Sequence, residues 1–161
     1  MEKAESQKEH QWLQKLVGEW TYEGDAVMEP GKPREKFEGT ESVRSIGDLW
    51  VLGEGRGEMP DGSPATMIIT LGYDPLKRRY VGTWIGSMMT HMWVYDGELD
   101  ADEKVLTLSS DGPSMKKEGK MGKFKDVIEI QDDDHRVLTG NMLGEDGKWQ
   151  ELMTARYRRT K

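Results

Sequence analysis

The sequence predicts an all-β fold, an antiparallel up-and-down (meander) β-barrel of nine or ten strands with a short N-terminal helix capping one end. Three observations carry that expectation. Segments rich in Val, Ile, Thr, Tyr and Trp recur at roughly ten-residue spacing from Trp20 to the final residues. Turn chemistry separates each segment from the next, and one amphipathic stretch precedes them all. A meander that long tends to close on itself, because closure removes exposed strand edges. A two-sheet sandwich is the competing architecture.

The helix comes first. Ser6-Gln7-Lys8-Glu9 has the spacing of a capping box, with Ser6 as N-cap and Glu9 reaching back to its amide. Trp12, Leu13, Leu16 and Val17 then share one helical face, and Gly18 supplies a stop. The helix is therefore expected over 6–17, with His10 on its exposed side. Strands are expected near 19–29, 35–46, 49–58, 65–73, 78–87, 91–99, 104–110, 123–131, 135–143 and 148–159. The turns between them include Pro30-Gly31-Lys32-Pro33, Gly47-Asp48, Asp61-Gly62, Asp74-Pro75, Asp132-Asp133-Asp134 and Asp146-Gly147. A longer loop is expected over 111–122. Gly53-Glu54-Gly55-Arg56-Gly57 is rich in glycine, but no helix follows to present amides to a phosphate, so it reads as a bent strand. Residues 1–161 are read as a single domain.

Composition narrows the function classes. There is no cysteine, which removes disulfides, thiol nucleophiles and thiolate metal sites and fits a reducing compartment. The net charge of −7 argues against nucleic acid as a partner. The amino-terminal residues have no apolar core of a signal peptide, and no run approaches the roughly 18 apolar residues of a membrane span. A cytoplasmic location is expected; the oligomeric state is not legible.

Gly18-Glu19-Trp20, directly after the helix, resembles the Gly-x-Trp signature of lipocalins and related calycin barrels. That resemblance implies that Trp20 closes the barrel base and that a basic residue of the last strand, Arg156 or Arg158, packs across it. A longer resemblance runs through Gly72-Tyr73-Asp74-Pro75, Arg79-Tyr80-Val81-Gly82-Thr83-Trp84-Ile85, His91-Met92-Trp93-Val94-Tyr95 and Met153-Thr154-Ala155-Arg156-Tyr157-Arg158-Arg159. These segments are similar to the bacterial domain-of-unknown-function family 1579, usually grouped with the calycins, over roughly residues 8–160. The resemblance implies the barrel and brings no activity with it.

Period two along the strands selects the candidate site. Phe124, Asp126, Ile128 and Ile130 share a face, so Asp126 sits among apolar neighbours; Glu151 interrupts the face of Trp149, Met153, Ala155 and Tyr157 in the same way. His91, Trp93 and Tyr95 alternate together. A carboxylate on an apolar face must be paired, hydrogen-bonded or protonated, because burying it bare costs several kcal/mol or more. The expected ligand-binding set is Thr83, Trp84, His91, Trp93, Asp126 and Glu151, with His91, Arg79 or Arg44 as partner to the carboxylates. The competing reading leaves both carboxylates in solvent after a slip of register.

No metal site is expected, because no His-x-His, His-x-x-x-His or two-His-one-carboxylate spacing occurs. No cofactor is expected either. Haem is the nearest alternative, since the related nitrobindins hold it by a late-strand histidine and His135 is late, but Gly18, Trp20, Tyr22 and Gly24 break that branch's glycine pattern. The 11 methionines read mainly as core filler able to line a loose apolar cavity. The expected function is binding of a small apolar or amphipathic molecule inside the barrel, which needs a cavity of roughly 300 Å³ or more. The alternatives are an isomerase, dehydratase or hydrolase using His91 with Asp126 or Glu151, and a filled barrel acting as a protein-interaction module.

Overall fold

In the computed structural model, which describes residues 1–161, ten antiparallel strands pair in sequence order and the first pairs with the last, closing the barrel. They are β1 (Gly18–Ala26), β2 (Glu35–Ile46), β3 (Trp50–Glu58), β4 (Pro64–Asp74), β5 (Arg79–Gly86), β6 (Trp93–Leu99), β7 (Val105–Pro113), β8 (Met121–Asp132), β9 (His135–Leu143) and β10 (Trp149–Arg159). Several expected boundaries move, and β1 ends at Ala26 rather than at 29. β6 begins at Trp93, so His91 and Met92 fall in its lead-in, and β7 and β8 pair out to Pro113 and Met121, shortening the loop between them.

The helix α1 (Lys8–Leu13) runs into a 3-10 turn, Gln14–Leu16. Its N-cap is Gln7 rather than Ser6, and the Gln7 amide donates to His10 Nδ1 at 3.0 Å, the place expected of Glu9. His10 is buried, not exposed. It lies one turn before Leu13 on the face that docks on the barrel. With Nδ1 accepting, Nε2 carries the hydrogen and donates to the Tyr73 carbonyl at 3.0 Å.

α1 seals one end. Trp12, Leu13 and Leu16 are each no more than 4% exposed. Deleting a side chain such as Leu13 from this seal is expected to cost about 2–5 kcal/mol. Two polar ties fix the angle of the helix: Trp12 Nε1 donates to the Glu103 carbonyl at 2.6 Å, and the Tyr80 hydroxyl donates to the Glu9 carbonyl at 3.0 Å.

Trp20 is buried directly beneath, donating to the Leu16 carbonyl at 2.9 Å. The basic residue across it is Arg159, 4.3 Å from the ring, and neither Arg156 nor Arg158. Alternation decides this: Ala155 and Tyr157 face inward, so Arg156 and Arg158 face solvent and Arg159 returns to the inner side. Arg159 also donates to the carbonyls of Val17, Lys15 and Asp133, tying the last strand to the helix exit. Gly18 must be glycine here: its φ is +142°, and a Cβ would run into the Arg159 guanidinium.

Above this plug the interior holds an ion pair that the sequence did not reveal. Arg136 on β9 bonds Glu41 on β2, with side chains only 6% and 12% exposed. The guanidinium stacks 4.0 Å from the Tyr157 ring and 4.6 Å from the Trp20 ring. Burial, with the Glu41 charge as a second cause, pushes the Tyr157 hydroxyl well above its ordinary range, so it stays neutral.

Candidate functional site

The half of the barrel away from α1 is not filled. Period two turns Trp84 of β5, Trp93 and Tyr95 of β6, and Phe124 and Asp126 of β8 toward the interior. Trp84 and Trp93 are direct cross-strand partners. Gly112 on β7 makes room for the second indole, since a Cβ there would overlap the Trp93 ring. The Phe124 ring then meets Trp93 edge to face, with centroids 4.8 Å apart.

These residues wall a cavity of about 240 Å³, completed by Leu138, Leu152 and Met153. Met89, in the β5–β6 connection, lies at its mouth and accepts the Trp93 indole N–H on sulfur at 3.1 Å. The volume is below the 300 Å³ expected for a drug-sized ligand, so any occupant is small.

One acidic group interrupts the apolar wall. The Tyr95 hydroxyl donates to Asp126 Oδ2 at 2.5 Å, while Asp126 Oδ1 takes no hydrogen bond from the protein and borders the cavity. Burial disfavours the carboxylate and pushes its pKa up to about 6, against the opposing hydrogen bond from Tyr95. The same burial, reinforced by the neighbouring Asp126 charge, raises Tyr95 well above its ordinary value, so the hydroxyl remains a donor.

Of the expected site residues, Trp84, Trp93 and Asp126 come together at this cavity and three do not. Thr83 points outward, its Oγ1 lying 2.7 Å from Thr70 Oγ1 on the facing strand, because the inward face of β5 is Tyr80, Gly82 and Trp84. His91 precedes β6 and donates through Nε2 to the Asp111 carbonyl at 2.9 Å, its ring edge to face with Trp93 and not lining the cavity. Glu151 faces out because the β9–β10 register shifts between Glu151 and Met153, which flips the alternation the sequence implied. It accepts from Thr154 and pairs with Arg34 at 3.5 Å. Arg79 pairs with Asp96 and Glu98 on the outer wall, and Arg44 is exposed, so neither reaches Asp126.

Tyr95 and Phe124 are among the cavity residues outside the expected set, with Met89, Leu138, Leu152 and Met153. Tyr95 and Phe124 share faces with Trp93 and Asp126 by simple alternation, which is the signal that points to them. His135 stands at the sealed end, exposed, with its ring on Asp132 at 2.9 Å, which gives it no access to the cavity and no fit to a haem ligand there. No group of three or more His, Asp or Glu side chains is arranged to hold a metal ion. A larger crevice of about 900 Å³ runs along β1, β2 and β3, but it is lined by Glu23, Asp25, Glu35, Glu58 and other charged groups and offers an apolar solute little.

Residues 5–159 match the family model described as "Protein of unknown function (DUF1579)". No curated protein matches the chain. Among solved structures, the crystal structure of Rv2717c from M. tuberculosis is similar with a TM-score of 0.64 at 16% identity, covering 98% of this chain and 100% of that one. The S-type phycobiliprotein lyase CPES from Guillardia theta is similar with a TM-score of 0.55 at 11% identity, covering 94% and 92%. EF1p2_mFAP2b bound to DFHBI has a TM-score of 0.50 at 12% identity, covering 94% and 98%. At these identities the likeness is one of fold.

Proposed function

The chain belongs to the DUF1579 family of proteins of unknown function, and we propose that this member binds one small, mainly apolar molecule in the upper barrel, held by aromatic walls and oriented by Asp126. The observation that carries the reading is the Tyr95–Asp126 pair set into a cavity otherwise walled by Trp84, Trp93, Phe124 and Met153. A wall built only for packing has no use for an ionisable group with a free oxygen. A ligand pocket does, because a few placed polar atoms orient an otherwise apolar occupant. The barrels of EF1p2_mFAP2b, bound to DFHBI, and of a phycobiliprotein lyase lend this reading support by analogy of fold.

Binding explains the geometry better than acid–base catalysis. Catalysis by His91 with Asp126 or Glu151 needs the groups within hydrogen-bond reach, directly or through one water. His91 is held on Asp111 and Glu151 on Arg34. The calycin grouping and a bacterial, cytoplasmic setting belong to the same proposal, the latter supported by the cysteine-free composition. Native mass spectrometry of freshly purified protein is the test. A retained small-molecule mass, lost in Trp93→Ala and Gly112→Leu, supports the reading; a mass retained equally by both variants places the ligand elsewhere.

A further inference from the structure

We infer that the ligand carries a protonated amine, so that the cavity selects small organic cations with an apolar body. The inference rests on the proposed binding function and names the chemistry of its occupant. Asp126 is the one charged residue lining the cavity, and its Oδ1 takes no donor from the protein. The cavity is also lined by Trp84, Trp93 and Phe124, aromatic rings of the kind whose quadrupoles attract a cation. A carboxylate framed by aromatic rings suits an ammonium group twice over, by charge-assisted hydrogen bonding and by cation–π attraction.

The surrounding charges agree with that choice. Tyr95 reaches Asp126 from β6, while the inward residues of β7 (Leu108 and Ser110) and of β9 (Leu138 and Gly140) carry no charge. Tyr157 approaches from β10 and remains neutral. Arg136 lies deeper and is already paired with Glu41, so no cation inside the barrel competes for Asp126. Several lysines near the rim are engaged on the outer surface: Lys117 with Glu145, Lys123 with Asp111 and Lys125 over Trp149. The net charge of −7 raises the local concentration of a cationic ligand.

The experiment compares three probes of matched skeleton, phenylpropylamine, phenylpropanol and phenylpropionate, by isothermal titration calorimetry on the full chain. The amine is expected to bind about tenfold tighter than either of the others or better. Its affinity should fall as pH drops through the Asp126 titration near 6, while that of the alcohol holds. Asp126→Asn should erase the preference for the amine over the alcohol, and a preference that survives it overturns the inference. Tyr95→Phe provides an independent variant: loss of its hydrogen bond to the carboxylate should move the pH midpoint for amine binding upward. Equal or tighter binding of the alcohol or the carboxylate overturns the cation inference and leaves the cavity reading standing. If none of the three binds, the cavity reading fails and takes the inference with it.

Discussion

Asp126→Asn should make the protein more stable at neutral and alkaline pH, and the gain should vanish in acid. In an unfolded chain this carboxyl titrates near its ordinary 3.8, and in the fold near 6. Between those values the folded state keeps a proton that the unfolded chain has lost, so folding is favoured as pH falls through 6. Above pH 6 the charge is held against apolar walls and works against the fold. The separation of about two pH units, at ~1.4 kcal/mol each, sets the cost at up to about 3 kcal/mol. An asparagine keeps the shape and the acceptor for Tyr95 and carries no charge, so its variant should gain about 1–3 kcal/mol at pH 8. Urea unfolding measures this directly: with a slope near 2 kcal/mol per molar, the midpoint rises by about 0.5–1.5 M. Other carboxylates contribute equally to both proteins, so the difference between them isolates this site. At about pH 3, below both pKa values, the two midpoints should nearly coincide. An advantage of the same size at both pH values, or a parent protein more stable at pH 8, refutes a desolvated carboxylate at this position.

Glu41→Leu should destabilise by about 3–5 kcal/mol, because Arg136 is left charged and buried, while Glu41→Leu with Arg136→Met should recover most of the loss in the same urea assay. Gly112→Leu should fill the space behind Trp93 and push the indole into the cavity, abolishing amine binding by calorimetry while the far-ultraviolet circular dichroism stays that of a β-barrel. Trp20→Phe should cost about 1–3 kcal/mol, since it loses the bond to the Leu16 carbonyl and part of the stacking under Arg159 and Arg136. Its effect on amine affinity should be negligible, because Trp20 lies at the sealed end.

The barrel was legible because its determinants are local. Ten segments with strand character, most of them followed by Gly, Pro or Asp, leave few other ways to pair, and the observed order is the order of the chain. The helix was legible through Trp12, Leu13 and Leu16, which are buried as their spacing implied. What alternation could not supply is register past an irregularity. Glu151 and Met153 look equivalent in sequence, yet the bulge between them sends one to solvent and the other to the cavity. His91 failed for a related reason, since β6 starts two residues later than the pattern of His91, Trp93 and Tyr95 suggested. The Glu41–Arg136 pair joins residues on β2 and β9, which are not neighbours in the sheet, so no local pattern links them. Glu41 does share its face with Phe37, Gly39 and Val43, and that was the available sign that it points inward.

The central claim is that a small molecule sits beside Asp126 between Trp84 and Trp93, and the indole N–H signals report on it most directly. The chain has six tryptophans, at positions 12, 20, 50, 84, 93 and 149, so a nitrogen-15 spectrum gives six separate reporters spread over both ends and the outer wall. Titration with phenylpropylamine at pH 8 should shift the Trp84 and Trp93 signals, with Trp93 moving more because its N–H rests on Met89 at the mouth. Trp12, Trp20, Trp50 and Trp149 should stay in place. Shifts confined to the exposed Trp50 and Trp149, or six unmoved signals at saturating ligand, would contradict the account.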